Sequence, residues 1–559
     1  MARPPQQASI DRPWVRRYPP GVPPTYRMPD VALPRLLDDA VRDFPEQPAL
    51  SADGVALTYA ALRDRTVDVT ALLRHLGVDE GDRVLVATGT TLTTPVVLLA
   101  LWRLGAVAVP LPPGRDRARR AARAVELADA ADVAGVVATR ERLSELTAAG
   151  LAVAWALDSS DEGWLAPRRR FTPPRPRRRR GGDATVRALG AAIREVASAP
   201  VTRHGAAVAP ERAALLVPRW RGGERRAIVL SHANLVASTF QTRLWVPDVQ
   251  AGRERVVVCG DLLALGPLVL GWLAGLLAAA SVELVATEDA ERLPRTIAHQ
   301  AATLAILEPT AVAALLDRDG GRKDLSSLRV VLATGAPLDP ELARDLERRT
   351  GGARVREGFG VSEAGPITHA QPVYGRTIPG TMGLPVTDTI AIVVDPDDPG
   401  RLVPPGTVGR LALAGPQVAA GYLDDEAATA ERFVDGWLLT EDLVTVDEEG
   451  VFTHVGRADE VLALPDGTLV SPRRVEVVLA QQPGVRRAGV TTDATTGALV
   501  AAVQPRRRPR PDPDQLRATC QEQLEVQLVP ARVVLVDELP ENDAGEVARD
   551  ALRELLAER

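Results

Sequence analysis

Short β-branched runs that alternate with helical patterns most constrain the fold of this 559-residue chain. The run RVLVA at residues 83–87 precedes a stretch at 93–103 with apolar residues at helical spacing, and AVAV at 106–109 follows. Similar alternation recurs at residues 256–287 and 304–334. Strands that alternate with helices form βαβ units, whose strands pair in parallel and carry helices on both faces. The sequence therefore predicts an α/β fold of doubly wound sheets.

The chain is too long for one hydrophobic core, since single cores stop growing at roughly 250–300 residues. After residue 385 the strands shorten and turn signals such as PPG at 404–406 become frequent, which predicts a β-rich subdomain at about 386–456. A further break follows residue 456. We therefore predict a large N-terminal domain, residues 1–456, and a small mobile α+β C-terminal domain, residues 457–559.

Composition and the N-terminus favour a cytoplasmic protein. Hydrophobic content is 45%, charged content is 25% and the net charge is −6, so nothing indicates an overall affinity for nucleic acid. Residues 1–30 lack the apolar segment of a signal peptide. The apolar stretch at 262–280 is interrupted by three glycines and a proline, which favours a buried helix over a membrane span.

Residues 168–180, RRRFTPPRPRRRR, form a basic block inside a proline-rich segment. Such blocks are typical of solvated inserts, but clusters of arginine also bind acidic lipid headgroups. The block has a single aromatic residue, Phe171, and no platform of aromatic side chains on which bases would stack, which disfavours nucleic acid as a partner. A solvated insert and a peripheral contact with the inner face of an anionic membrane both remain open.

Four groups of motifs appear in a fixed order along the chain. They are PWVRRYPPGVP at 13–23 with LTY at 57–59; TGAPL at 334–338 with EGFGVSE at 357–363; GWLLTED at 436–442 with DEEGVF at 447–452 and GR at 456–457; and LP at 539–540 before Gly545. In this order they resemble the acyl-adenylate-forming, or AMP-binding, synthetases. The resemblance is closest to bacterial long-chain fatty-acyl-CoA synthetases and covers nearly the whole chain.

The resemblance implies an AMP-forming ligase of fatty-acid metabolism, which joins a carboxylic acid, typically a long-chain acyl acid, to coenzyme A (CoA). A carboxylate attacks the α-phosphorus of ATP, and the CoA thiol then displaces AMP. The implied cofactors are ATP or AMP, Mg²⁺ and CoA. The implied site residues are Ser362 and Glu363 for catalysis, with Glu363 also holding Mg²⁺; Gly335, Ala336, Pro337, Gly358, Phe359 and Gly360 around the adenine; Asp442 and Arg457 at the ribose; and Gly223 and Arg226 at the phosphates.

The segment that resembles the family's phosphate loop departs from the expected pattern. Residues 218–227 read PRWRGGERRA, where the family has small residues whose backbone N–H groups wrap the phosphates. Only Gly223 matches, and Arg226 stands where a lysine is expected. The arginines of this segment either grip phosphates through their guanidinium groups or form a solvated loop.

A second departure concerns the C-terminal lysine of the family, which bridges the attacking carboxylate and the α-phosphate. Glu546 stands in its place, and Lys323 is the only lysine of the chain. Glu441 replaces a glycine beside Asp442, and Leu263 replaces a histidine near the family's acyl pocket. The phosphate loop and Glu546 predict weak adenylation, and the change at Leu263 concerns acyl specificity. Thioester formation from a supplied adenylate could survive. An active ligase, a catalytically inactive binder of acyl chain, AMP or acyl-CoA, and a scaffold all remain open.

Overall fold

The computed structural model describes residues 4–111, 116–165, 186–196, 207–221, 224–316, 323–335, 338–506, 508–540 and 547–557. The strands of these residues, in chain order, are β1 (Pro48–Ala52), β2 (Val55–Thr58), β3 (Arg83–Ala87), β4 (Val107–Pro110), β5 (Val133–Ala138), β6 (Trp155–Asp158), β7 (Val186–Ala188), β8 (Ala213–Arg221), β9 (Glu224–Ser231), β10 (Arg255–Cys259), β11 (Ser281–Val285), β12 (Leu304–Leu307), β13 (Val330–Ala333), β14 (Arg354–Phe359), β15 (His369–Ala370), β16 (Leu384–Pro385), β17 (Ile390–Val394), β18 (Gly409–Ala414), β19 (Gly421–Tyr422), β20 (Phe433–Val434), β21 (Trp437–Val446), β22 (Phe452–Arg457), β23 (Leu462–Ala463), β24 (Leu469–Val470), β25 (Val485–Thr492), β26 (Leu499–Pro505) and β27 (Arg532–Leu535).

The α-helices of the same residues are α1 (Pro34–Asp43), α2 (Tyr59–His75), α3 (Thr93–Leu104), α4 (Arg117–Ala130), α5 (Arg140–Ala148), α6 (Leu189–Val196), α7 (His232–Trp245), α8 (Ala274–Leu277), α9 (Leu293–Gln300), α10 (Pro309–Leu316), α11 (Pro340–Arg349), α12 (Glu426–Arg432), α13 (Pro472–Ala480), α14 (Pro513–Gln523) and α15 (Arg549–Ala557).

Two large sheets, built mainly from parallel strands, form the body of the molecule. The first has the order β16-β15-β14-β13-β12-β10-β11-β1-β2, and the second has the order β19-β9-β8-β4-β3-β5-β6-β7. Neighbours from β14 through β11 to β1 pair in parallel, as do neighbours from β8 to β7. The predicted β3–α3–β4 unit lies in the second sheet. Both sheets contribute side chains to one central core, together with α1, α2, α3 and α7.

Alternate side chains of one strand enter different cores, because successive side chains of a strand point to opposite faces. In β10, Val256 and Val258 belong to the central core, whereas Val257 and Cys259 pack against α9, α10 and α11 on the outer face. Strand β3 divides its side chains in the same way between the central core and the helices α4 and α5. The continuous apolar runs seen in the sequence are therefore strands buried on both faces.

The later part of the chain forms smaller sheets. Strands β17, β18, β21 and β20 pair antiparallel in that order, and β22 pairs with β21. Near the C-terminus, β25 pairs antiparallel with β26, and β26 pairs in parallel with β27. Helices α13 and α14 share a core with one face of this sheet, and α15 shares a core with the other face.

The apolar stretch at 262–280 forms a buried π-helical turn, Gly266–Leu273, that continues into α8. It packs tightly on the first sheet: a Cβ atom added at Gly271 would lie 2.6 Å from the Cγ2 atom of Val258. The expected buried helix is confirmed. Among the residues placed in the structure, none of the helices has both the length and the apolar character needed to cross a membrane.

The predicted fold class, a doubly wound α/β domain with a β-rich part and a small α+β domain at the C-terminus, is confirmed. The boundary at residue 457 stays a prediction. The basic block at 168–180 lies outside the described residues.

Candidate functional site

The predicted adenine-side residues lie at the carboxyl end of β14, next to the β-rich sheet. Phe359 ends β14, and its ring centroid is 5.4 Å from that of His454 on β22. His369 lies on the other side, with ring centroids 6.1 Å apart. In open α/β sheets, ligands bind in the crevice outside the carboxyl ends of the strands. The sheet thus places Phe359 where a flat ligand would enter.

Two of the predicted glycines permit backbone geometry that a side chain would prevent. A Cβ atom at Gly360 would lie 2.4 Å from the carbonyl carbon of Pro366, so the chain passes itself too closely for any other residue. Gly335 has a φ of +89°, a backbone angle that residues with a side chain rarely adopt. Gly358 is less restricted, since its added Cβ would approach the Ile367 side chain at 3.3 Å.

Asp442 presents one unpartnered carboxylate oxygen inside the site. The residue lies on β21 and is 5% exposed. Its Oδ1 atom lies 2.9 Å from Nε2 of His454, whereas its Oδ2 atom is buried and has no hydrogen-bond partner among the residues that the structure describes. Leaving a buried acceptor unsatisfied is costly, and each such group in a native fold needs an explanation. A ribose hydroxyl is a donor that would satisfy Oδ2.

Arg457 is the direct strand neighbour of Asp442, but its guanidinium group points to other carboxylates. The two residues pair across β21 and β22. The guanidinium forms ion pairs with Glu441 and with Asp459, the latter at 3.1 Å, and Glu460 lies 3.7 Å away. Arg457 thus links the β-rich sheet to the first residues of the segment predicted as the small domain.

The segment expected to form a phosphate loop or a solvated loop is instead a β-hairpin. Strands β8 and β9 pair up to Arg221 and Glu224, with Arg219 opposite Arg226 and Trp220 opposite Arg225. Directly opposed residues share a face, so the hairpin has two different sides. Successive N–H groups of a paired strand point in opposite directions, so residues 218–221 and 224–227 do not form the concave turn that would surround a phosphate.

One face of this hairpin is directed to the site and the other to α4. Arg225 is largely exposed and pairs with Glu126 at 3.2 Å, while Trp220 lies under the Arg123 guanidinium at 5.9 Å. On the site face, the Arg226 side chain is 11% exposed, lies 3.5 Å from Asp425 and covers the Tyr422 ring at 5.0 Å. The hypothesis of a solvated arginine loop is therefore wrong for Arg219 and Arg226, because both side chains are largely buried among acidic or aromatic partners.

Glu441 lies among three arginines that belong to separate elements. Its carboxylate forms ion pairs with Arg219 of β8, Arg432 of α12 and Arg457 of β22. The four side chains are only 10–15% exposed. Because attraction between charges is screened less away from water, this cluster ties the hairpin, α12 and the β-rich sheet together.

Glu363, the predicted Mg²⁺ ligand, is already engaged by protein groups. It lies in a short 3₁₀ turn, Ser362–Ala364, and is 8% exposed, whereas Ser362 is exposed. Arg219 Nε lies 3.2 Å from Glu363 Oε1, and the Tyr422 hydroxyl donates to the same oxygen at 3.0 Å. Burial and the nearby Glu363 carboxylate raise the pKa of Tyr422 to about 12, so the hydroxyl keeps the proton that it donates.

The residues around Glu363 do not fit Mg²⁺. This ion takes an octahedral set of oxygen ligands and keeps several waters. In nucleotide sites it is held by one or two carboxylates together with phosphate oxygens, so the Glu363 carboxylate would have to be available to it. Moreover, Arg219 already supplies a positive charge against the Glu363 carboxylate.

Glu357 is a further titratable group on β14. In the sequence it is noted only as the first residue of the EGFGVSE motif. Burial raises the pKa of the Glu357 carboxyl group to about 7, although a hydrogen bond from the Leu338 backbone opposes the rise. Glu357 therefore changes charge near neutral pH.

Sequence reasoning missed His454, Tyr422 and Arg432. His454 lies three residues before Arg457 on the same strand, a signal that could have placed it near the ribose side. For Tyr422 and Arg432 no local pattern exists, since their roles depend on partners that are distant in sequence. Four residues singled out from the sequence lie outside the described residues: Gly223, Ala336, Pro337 and Glu546.

Comparison with known proteins now tests the resemblance. A profile of the AMP-binding enzyme family matches residues 37–176 and 223–423, and a profile of the AMP-binding enzyme C-terminal domain matches residues 474–546. The chain belongs to the AMP-binding enzyme family. The resemblance drawn from the motifs is confirmed.

Curated relatives of this AMP-binding protein extend over nearly its whole length. It is 26% identical over 563 residues to a long-chain-fatty-acid–CoA ligase of Bacillus subtilis (strain 168), with 97% of this chain and 98% of the relative covered. A long-chain-fatty-acid–CoA ligase of Escherichia coli O6:H1 is 28% identical, with the same shares covered. A feruloyl-CoA synthase of Amycolatopsis sp is 29% identical, with 92% and 96% covered.

Solved structures agree on the fold. The anthranilate CoA ligase AuaEII in complex with anthranoyl-AMP matches with a TM-score of 0.78 at 22% identity, covering 96% of this chain and 99% of that chain. The O-succinylbenzoate coenzyme A synthetase of Bacillus subtilis in complex with AMP matches with a TM-score of 0.73 at 18% identity, covering 93% and 98%.

Proposed function

We propose that this AMP-binding protein handles a long-chain carboxylic acid as its acyl-adenylate and as its CoA thioester. The substrate class is supported by the long-chain-fatty-acid–CoA ligases that align with almost the entire chain. The observation that carries the nucleotide part is the buried, unpartnered Oδ2 atom of Asp442.

The surroundings of Asp442 suit the nucleoside of an adenylate. Its free oxygen accepts a hydrogen bond from a ribose hydroxyl, while His454 holds the other oxygen in place. Phe359 offers an aromatic face to the adenine, and Gly360 keeps the backbone beside it compact. Together they bind the half of the ligand that AMP and an acyl-adenylate share.

Of the parts of ATP, thioester formation involves only this half. The CoA thiol loses its proton, the sulfur bonds to the acyl carbon, and the bond from that carbon to the phosphate oxygen breaks as AMP leaves. No pyrophosphate takes part in this step. The reaction also runs backwards from acyl-CoA and AMP, so the same pocket serves both directions.

Of the two half-reactions, we expect adenylation from ATP to be the weaker one. Negative charge accumulates on the phosphates during the attack, and this chain has Glu546 where the resemblance implies a lysine. Loss of one preorganised donor costs about 10²–10³ in rate, and reversal of its charge costs more. We therefore expect slow or absent turnover with ATP.

A second candidate is a protein that binds acyl-CoA or AMP without turnover. The pairing of Arg219 with both Glu363 and Glu441 favours it, since these carboxylates are neutralised within the protein. The two candidates share their ligands and differ only in whether bonds are made.

The deciding experiment supplies preformed palmitoyl-adenylate and CoA to the purified protein and measures palmitoyl-CoA. We expect thioester from the adenylate, and at most trace pyrophosphate exchange with palmitate and ATP. A repaired variant, with Glu546→Lys and residues 218–227 replaced by the family's phosphate loop, should gain exchange.

Thermal-shift measurements with AMP and palmitoyl-CoA separate the remaining outcomes. Stabilisation without thioester formation supports the second candidate, since ligand at about 100 times its Kd adds about 2.7 kcal/mol. Robust exchange by the native chain overturns the expected loss of adenylation. Absence of stabilisation by any ligand overturns the proposal itself.

A further inference from the structure

Arg219 bridges two buried carboxylates in the site. Its Nε atom lies 3.2 Å from Oε1 of Glu363, and its terminal nitrogen pairs with Oε2 of Glu441. The three side chains are 11–15% exposed. The pairing of β8 with β9 fixes the backbone of Arg219, and the two carboxylates hold its guanidinium group.

The neighbours of Arg219 complete a set in which three guanidinium groups pair with three carboxylates, the third carboxylate being that of Asp459, which pairs with Arg457. Arg432 and Arg457 share the Glu441 carboxylate, and Tyr422 donates to Glu363. A buried carboxylate is tolerated when it is paired and hydrogen-bonded, and both carboxylates meet this condition.

A divalent cation would have to displace this arrangement. A cation placed at Glu363 would be repelled by the Arg219 guanidinium, which already neutralises that carboxylate. In nucleotide sites Mg²⁺ is held by one or two carboxylates together with phosphate oxygens, and the Glu363 carboxylate is already engaged by Arg219 and Tyr422. A guanidinium, by contrast, meets carboxylate and phosphate oxygens through its own N–H groups.

We propose that Arg219 takes the electrostatic role of the divalent cation, so that the pocket binds an adenosine monophosphate or acyl-adenylate without metal and rejects the β- and γ-phosphates of ATP. The hairpin supports the rejection, because residues 218–221 and 224–227 are paired strands, in which successive N–H groups point in opposite directions and cannot converge on one phosphate. This inference rests on the proposed function and identifies the nucleotide form that the site accepts.

The test is calorimetric titration of the native full chain with AMP and with ATP, each in the presence of Mg²⁺ and then of EDTA. We expect the AMP Kd to agree within about twofold in the two buffers, and ATP to bind at least about tenfold more weakly than AMP. Arg219→Ala should gain Mg²⁺-dependent ATP binding. Arg225→Ala, on the opposite face of the same hairpin, should leave all four titrations unchanged.

A second measurement does not require a variant to fold. Mn²⁺ titrated into the native protein with AMP or ATP is followed by electron paramagnetic resonance, which separates free ion from ion bound at the protein. Mn²⁺ binding no greater than that to the nucleotide alone supports the inference.

Three results would count against it. AMP binding that EDTA abolishes, or tight Mg²⁺–ATP binding by the native chain, overturns the inference and leaves the proposed nucleotide pocket standing. Failure of every adenosine nucleotide to bind overturns the proposed function, and the inference falls with it.

Discussion

Asp442 and Glu357 are two carboxylates of the same site that burial affects differently. Asp442 has one carboxylate oxygen held by His454 and one without a partner among the described residues, so we propose that the second oxygen accepts a hydrogen bond from a ligand. Burial raises the pKa of Glu357, so the effect of this residue on the free energy of unfolding depends on pH. Each leads to a prediction that a single substitution tests.

We expect Asp442→Asn to weaken AMP binding by about 10- to 100-fold, because a hydrogen bond to a charged acceptor contributes about 1.5–3 kcal/mol. Calorimetric titration with AMP measures the change. The exposed Glu448→Gln makes the same change of charge outside the site and should bind AMP like the native chain. An Asp442→Asn variant with native affinity would remove Asp442 from the nucleotide pocket.

Glu357→Gln should stabilise the protein at neutral and alkaline pH. The ordinary carboxyl pKa is 4.5 and the folded value is about 7, so the unfolded chain ionises first as pH rises between these values. Stability is therefore lost across this window, by up to about 3 kcal/mol above pH 7. Below pH 4.5 the carboxyl is protonated in both states and the loss vanishes.

Urea unfolding of the Glu357→Gln and native proteins near pH 5 and near pH 8 checks this dependence. The variant should exceed the native free energy of unfolding by a larger margin at the higher pH. An equal margin at both values would show that Glu357 titrates normally in the fold.

The β8–β9 hairpin shows at the level of elements how strand alternation selects which side chains enter the site. Arg219 and Arg226 share the face toward Glu363 and Tyr422, while Trp220 and Arg225 share the face toward α4. Had the segment been an open turn, its arginines would have had no common direction. The pairing therefore converts a run of arginines into one buried ion cluster and one exposed cation.

Glu441→Gln should destabilise the protein by about 3–5 kcal/mol, because it removes the carboxylate that three buried guanidinium groups share. Urea unfolding measures the loss. Glu431→Gln is the matched control, since Glu431 is half exposed and lies 3.9 Å from Arg432. Its effect should stay below about 1 kcal/mol. Equal effects of the two substitutions would show that the cluster is no stronger than a surface pair.

At the scale of the whole molecule, Arg457 joins the last strand of the β-rich sheet to the following segment. It ends β22, pairs with Glu441 behind it and with Asp459 ahead of it. The predicted domain boundary at residue 457 therefore falls on a residue that serves the large domain's ion cluster.

A truncated chain of residues 1–460 should be more stable than one of residues 1–456, because only the longer chain retains Arg457. We expect a difference of a few kcal/mol in the free energy of urea unfolding, as for loss of one partner of a buried ion pair. The chain 1–460 carrying Arg457→Ala should behave like the shorter chain. If the two truncations unfold alike, Arg457 contributes nothing to the large domain.

The order of strands and helices could be predicted because each is recorded in a short stretch of sequence. The run at β13 is apolar over its whole length, and those at β3 and β10 are apolar after an initial arginine, which is the pattern of strands buried on both faces. The family could also be predicted, since the motifs around Phe359 and Asp442 keep their residue types and order. Local patterns of this kind depend on neighbours within a few positions.

What the sequence by itself determined is thus the α/β architecture and the family, while its assignment of nucleoside-side residues stays a prediction. Only the tertiary structure decided the partners of the arginines, because those partners are set by the crossing of distant strands. Arg219 and Glu441 are 222 residues apart in the chain, and nothing near either residue indicates the other. The geometry of the sheets brings them into contact, and that contact places a guanidinium where the resemblance had implied a metal ion.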